Sequence, residues 1–242
     1  TITEFGRLNE AVTDFAGRNE KLFEQQKQFI GNASHEMQTP LAICRNRIEM
    51  LMEDDGLSER QLEELAKTHR TLENLTRMNR SLLLLCKIEN GQYMDKHPVC
   101  LDEVLKHYLS DYQEVYAYRN IHVEMQVTAS FCVEINDSLA SVLVTNLLKN
   151  AFVHNVDGGL IRIIIDRNVF CICNTGNEPL DGIRIFERFY QGTKKEGSTG
   201  LGLALVDSIC KTNHLAIRYF YEKEMHCFEI SKSFQIPSSS LQ

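Results

Sequence analysis

A change of period near residue 90 constrains the fold more than any other feature. Up to Cys86 the apolar residues recur at helical spacing. Beyond the breakers Asn90-Gly91-Gln92 and His97-Pro98, short alternating runs are interleaved with helical stretches. Two architectures therefore share one chain, joined by a linker at 90–98. In the first, Leu8, Val12, Phe15, Asn19, Leu22, Gln26 and Phe29 succeed one another in alternating steps of four and three, a heptad seam with polar interruptions at Asn19 and Gln26. The chain starts at Thr1 with no initiating Met, so this helix is expected to continue upstream and to carry a signal into the rest of the chain.

The helical pattern runs on through Pro40 to about Met52, where Glu53-Asp54-Asp55-Gly56 predicts a turn. Ser58 is the expected N-cap of a second helix over Glu59–Cys86, whose apolar face is Leu62, Leu65, Leu72, Leu75, Met78, Leu82 and Leu85. A two-helix hairpin cannot bury both apolar stripes by itself. Pairing of two copies into a four-helix bundle solves this, so a homodimer is expected.

Composition narrows the function classes. The 242 residues are 43% hydrophobic and 24% charged, ordinary for a soluble globular protein, with a net charge of −7 and no basic patch for nucleic acid. The eight cysteines are scattered without a CxxC pair, which favours buried reduced thiols over a zinc site or a disulfide framework. No apolar run approaches the roughly 18 residues that span a bilayer, so this part of the chain is expected to make no membrane contact.

Within the first helix, Phe29 to Ala42 breaks local rules by placing His35-Glu36 four residues ahead of Pro40. A proline inside a helix costs about 3 kcal/mol, and such exceptions concentrate at functional sites. His35 and Thr39 share one helix face, and Glu36 can swing towards the imidazole, a nucleophile with a candidate base beside it. An isolated pair of this kind is also compatible with a surface histidine on a kinked helix.

The second half reads as a helix at 101–118, strands at 121–127 and 131–135, and a helix capped by Asp137 that runs past Asn150. A hairpin of strands comes next at 160–166 and 169–173, then a loop over 174–198 and a helix from the Gly200-Leu201-Gly202 run to Thr212. Strands at 216–221 and 227–233 end the fold.

Three stretches make sense together. Asn146, Asn150 and His154 stack on one helix face, and a neutral Asn oxygen suits magnesium, which binds through few protein ligands plus phosphates. Asn174 and Gly176 come directly after a strand, where a side-chain oxygen could accept the exocyclic amine of a purine. Gly200, Leu201 and Gly202 open a helix whose amides form an anion site. Lys194 and Lys195 sit in the intervening loop, placed to close over phosphates.

In order, these residues resemble the sensor histidine kinases of two-component signalling. His35-Glu36-x-x-Thr39-Pro40 is similar to the H-box, Asn146 to Asn150 to the N-box, and Asn174-x-Gly176 to the first glycine box. Ile185 to Tyr190 is similar to the F-box and Gly197 to Leu203 to the second glycine box.

The resemblance implies an α plus α/β architecture. A signal-transmitting coil over 1–23 precedes a dimerisation and phosphotransfer hairpin over 24–92, which forms a four-helix bundle, and a GHKL α/β sandwich over 98–236 binds ATP. It further implies that His35 attacks the γ-phosphate of ATP with Glu36 as base, that Asn150 holds Mg2+, and that Asn146 and His154 line the nucleotide. Thr39 would orient water when phosphate is removed from a response regulator. The expected setting is the cytoplasmic portion of a membrane-anchored sensor.

Four positions depart from the family pattern: Asn174 replaces an aspartate, Glu178 a glycine, Gln191 a basic residue and Ser198 a glycine. They motivate a second reading, a degenerate scaffold or phosphatase-dominant partner of a response regulator that does not use ATP. A third, a GHKL ATPase acting as a conformational clamp, gives no role to His35-Glu36.

Overall fold

The computed structural model describes residues 2–54, 56–192 and 198–232; Lys194 and Lys195 lie outside the described residues. It divides into two compact units, residues 1–90 and 91–242.

The first unit is a helical hairpin of α1 (Ile2–Met52) and α2 (Glu59–Glu89). Helix α1 continues through Pro40, as the pattern predicts. The Asp54 carboxylate accepts from the Gly56 amide in the turn (2.9 Å). Ser58 then caps α2 in a reciprocal capping box: its hydroxyl accepts from the Gln61 amide, and the Gln61 side chain accepts from the Ser58 amide. Across the hairpin, His69 Nε2 lies 3.0 Å from a Glu49 carboxylate oxygen.

The second unit is an α/β sandwich. Its elements are β1 (His97–Cys100), α3 (Leu101–Val115), β2 (His122–Val127), β3 (Cys132–Ile135), α4 (Asp137–Val153), β4 (Leu160–Ile165), β5 (Val169–Thr175), α5 (Gly202–Thr212), β6 (Leu215–Glu222) and β7 (Met225–Lys232). Five strands form one sheet in the order β2-β4-β5-β7-β6, while β1 and β3 pair separately. Strands β2 and β4 run parallel, because β3 and α4 supply the long crossover that parallel pairing needs.

Register aligns Ile163, Ile172, Phe228 and Tyr219 across β4, β5, β7 and β6, so a largely apolar row crosses this face of the sheet. Helix α4 covers it with Leu139, Leu143, Leu147, Leu148, Ala151 and Phe152, all essentially without exposure. Helix α4 packs on β5 and between α3 and α5, which fixes the helical layer.

Three expectations are corrected. Residues 97 and 98 are not linker but the start of β1; among the described residues the strand pairs only with β3, and an edge strand tolerates Pro98 because one of its sides needs no amide donor. Asn136, not Asp137, caps α4, accepting from the Ser138 amide (3.0 Å). Four cysteines are bonded rather than reduced, as Cys100–Cys132 and Cys173–Cys227. Each pair stands directly opposite in an antiparallel ladder, with Cα atoms 3.9 and 4.1 Å apart, a juxtaposition that sequence separations of 32 and 54 conceal.

Candidate nucleotide site and phospho-acceptor segment

Two groups of residues require separate description. His35, Glu36 and Thr39 all lie on α1. Glu36 and Thr39 are solvent-exposed, and the side chain of His35 lies outside the described residues.

In the second unit, α4 carries Asn146 and Asn150 one turn apart, both half-buried beside the fully buried Leu143, Leu147 and Ala151. Asn146 donates from Nδ2 to the Val142 carbonyl (2.7 Å), which turns its Oδ1 outward. That oxygen lies over the first residue of α5: a Cβ at Gly202 would stand 2.8 Å from it. The N-terminal turn of α5, whose amides point at the gap, is thus brought against the Asn146 face. His154 closes α4 as its C-cap, its amide donating to the Asn150 carbonyl (3.0 Å).

The glycine run is anchored on the preceding segment. Gly200 has φ +68°, and a Cβ there would come within 2.7 Å of the Phe189 backbone. The Phe189 amide, itself in the left-handed region at φ 64°, donates to the Gly200 carbonyl (2.9 Å). Leu201 is fully buried and accepts the first α5 bond from the Leu205 amide. Two of the departures in sequence meet here: Gln191 Nε2 donates to the Ser198 carbonyl (2.8 Å).

Asn174 is not at a loop start but inside β5, almost fully buried. Its Nδ2 donates to the Thr175 carbonyl (3.1 Å), leaving Oδ1 as an acceptor. Gly176 is buried, and a Cβ there would collide with the imidazole of His226.

The structure therefore brings Asn146 to Gly202, Phe189 to Gly200 and Asn174 and Gly176 to His226. The residues fit a magnesium–nucleotide: Asn150 offers a neutral oxygen on the Asn146 face, and the bare backbone at Gly202 leaves room beside a helix terminus.

Sequence reasoning missed two contributors. Arg119 donates to the carbonyls of Phe152, Val153 and Asn155 and pairs with Asp157 (2.7 Å), so one guanidinium satisfies the C-terminal end of the helix carrying Asn146 and Asn150. No local pattern marks a residue 33–38 positions from its partners. His226 is the other, and only the β5–β7 register reveals it. Burial pushes its pKa below the ordinary value, so the ring is neutral, and burial raises that of its partner Tyr219.

Residues 25–91 match the family model described as His Kinase A (phospho-acceptor) domain. Residues 135–234 match the histidine kinase-, DNA gyrase B-, and HSP90-like ATPase. The chain is 28% identical over 229 residues to the heme sensor protein HssS of Staphylococcus saprophyticus, covering 91% of this chain and 49% of that protein. To the sensor protein CutS of Streptomyces coelicolor it is 30% identical over 222 residues, covering 87% and 53%. The chain spans about half the length of the curated relatives it matches. In fold it is similar to full-length ShkA in complex with AMPPNP (TM-score 0.65, 20% identity, 85% of this chain and 45% of that one). It is likewise similar to the Acinetobacter baumannii histidine kinase AdeS (TM-score 0.57, 21% identity, 83% and 98%).

Proposed function

Because the chain belongs to the sensor histidine kinases of two-component signalling, with a phospho-acceptor hairpin followed by a GHKL-type ATPase domain, we propose that it phosphorylates itself on His35 from ATP and passes the phosphoryl group to an aspartate of a response regulator. The observation that carries this reading is the meeting of Asn146 with Gly202 at the α5 terminus, downstream of a phospho-acceptor segment that contains His35.

In this proposal the imidazole of His35 forms the N–P bond while the bond from the γ-phosphorus to the bridging oxygen breaks and ADP leaves. Glu36, exposed on α1, takes the imidazole proton. The α5 amides hold phosphate oxygens, Asn146 and His154 flank the nucleotide, and Asn174 Oδ1 accepts from the base. Asn150, together with the phosphates, would hold Mg2+, which would supply charge neutralisation when bound. Positioning and charge are most of what phosphoryl transfer needs. Lys194 and Lys195 add positive charge over the phosphates.

Residues 24–92 form the dimerisation and phosphotransfer domain, fed by the 1–23 coil, and 98–236 the ATP domain. Thr39 orients water when the same hairpin dephosphorylates the regulator. The chain acts as the cytoplasmic portion of a membrane-anchored sensor; among the described residues no helix is long and apolar enough to cross a membrane.

The test is incubation of the 242-residue chain with γ-labelled ATP and Mg2+. The expected product is an acid-labile phosphoprotein, absent in His35→Gln. A folded chain that binds ATP and never labels overturns the kinase reading. One that binds a regulator but no nucleotide favours an ATP-independent scaffold, the reading motivated by Asn174, Glu178 and Gln191.

A further inference from the structure

The end of β5 that carries Asn174 and Gly176 is held from the β6–β7 hairpin by contacts outside every sequence motif. Register sets Asn174 opposite His226, and His226 opposite Tyr221, so three polar side chains stand in a row on one face of the sheet. The Tyr221 hydroxyl donates to the Gly176 carbonyl (2.9 Å), and the Gly176 amide donates to the Glu224 carbonyl (2.9 Å). Further along, the Leu180 amide donates to the Tyr219 hydroxyl oxygen (2.9 Å), which lies 2.9 Å from His226 Nδ1. The Tyr219 hydroxyl thus joins the Leu180 amide to the imidazole of His226, with Nδ1 against it whichever ring nitrogen carries the proton. The same ring is seated against Gly176.

The chemistry of Asn174 determines what this frame controls. A carboxylate can only accept, but an amide presents an acceptor on one side and a donor on the other. With Oδ1 forward it meets the amino group of adenine; flipped, its NH2 meets the carbonyl oxygen of guanine. The one bond that sets the choice is Nδ2 to the Thr175 carbonyl, and Thr175 is the residue between Asn174 and the clamped Gly176.

We infer that Tyr219 and His226 are positioning residues that, by fixing the 174–180 turn, hold the Asn174 amide in its adenine-accepting orientation and so set the purine selectivity of the site. The inference rests on reading Asn174–Gly176 as the base site.

The experiment measures, by calorimetry on the 242-residue chain, the dissociation constants of Mg·ATP and Mg·GTP. Wild type prefers ATP. Tyr219→Phe removes the hydroxyl that accepts from Leu180 and bonds to His226, and narrows the ATP/GTP ratio at least about fivefold, the equivalent of one net hydrogen bond. His226→Leu narrows it likewise, whereas His226→Asn, which can still accept from Tyr219, retains most of it. In Asn174→Asp, an acceptor-only background, adding Tyr219→Phe leaves the ratio unchanged. A merely structural role weakens both nucleotides by the same factor; that result, or an unchanged ratio in Tyr219→Phe and His226→Leu, overturns the inference. If Asn174→Ala leaves ATP binding intact, the base-site reading beneath it fails. If Asn174→Ala abolishes the preference while Tyr219→Phe and His226→Leu keep it, only the positioning role fails.

Discussion

The two units bury their apolar residues to different degrees. In α4, Leu139, Leu143, Val144 and Leu148 have no exposed surface, enclosed by the five-stranded sheet and neighbouring helices. In α1, Val12 is 57% exposed, Phe15 68% and Met50 72%. The α/β unit therefore closes its core with its own chain, and the hairpin does not. Apolar surface left in water forfeits about 25 cal/mol per Å2, so the hairpin's stripe calls for another surface. The second copy expected from its sequence would supply one. Catalytic labour divides along the same line. The self-sufficient unit carries the proposed nucleotide site, and the unit with the exposed apolar stripe carries His35.

The contrast can be broken most severely in the α/β core. Phe152→Ala removes a ring that stacks on Tyr112 and Tyr116, and is expected to cost about 3–5 kcal/mol in the urea unfolding of that unit while leaving the hairpin's transition in place. Dilution sharpens the comparison from the other side. A hundredfold drop in protein concentration should cost the hairpin's dimer about 2.7 kcal/mol and lower its melting temperature, while the α/β transition stays fixed. A hairpin whose melting ignores concentration contradicts the dimer.

Arg119→Ala leaves the α4 carbonyls of Phe152 and Val153 without their cationic donor, and is expected to lose about 1.5–3 kcal/mol by denaturant titration, all of it in the α/β unit. Ser58→Ala touches only the hairpin: loss of the capping box should cost about 1 kcal/mol in its transition. The smallest effect is a pH dependence. His226 is held neutral by burial, so its folded pKa lies below its unfolded value near 6.5. The folded state binds the proton less readily, and the stability this contributes is present above about 6.5 and is lost as pH falls through the folded value. Stability measured between pH 7 and 5 should therefore fall more in wild type than in His226→Gln.

Much of the site was legible along the chain because each motif is local. Asn146 and Asn150 declare a helix face by their spacing, and the glycine run announces a helix start, so the α5 terminus was expected where it stands. Ser58 and Gln61 carry their capping box within four residues. The features that stayed hidden depend on register. The bonding of Cys173 to Cys227, the seat of Gly176 on His226 and the four partners of Arg119 are set by which strand or helix end lies opposite. A one-residue slip would turn every strand side chain among them to the other face. Even Gln191 and Ser198, departures in sequence, are joined by a bond to a backbone carbonyl that no side-chain pattern encodes.

By itself, then, the sequence determined two architectures, the break between them, the phospho-acceptor candidate on α1 and the residue types at the candidate nucleotide site, since periodicity, breakers and caps act over a few residues. Tertiary structure alone decided what packs against Asn174 and holds the turn beside it. Hydrogen-bond direction and close contact depend on groups remote in the chain, and only the closed sheet brings Tyr219, Tyr221 and His226 to that edge.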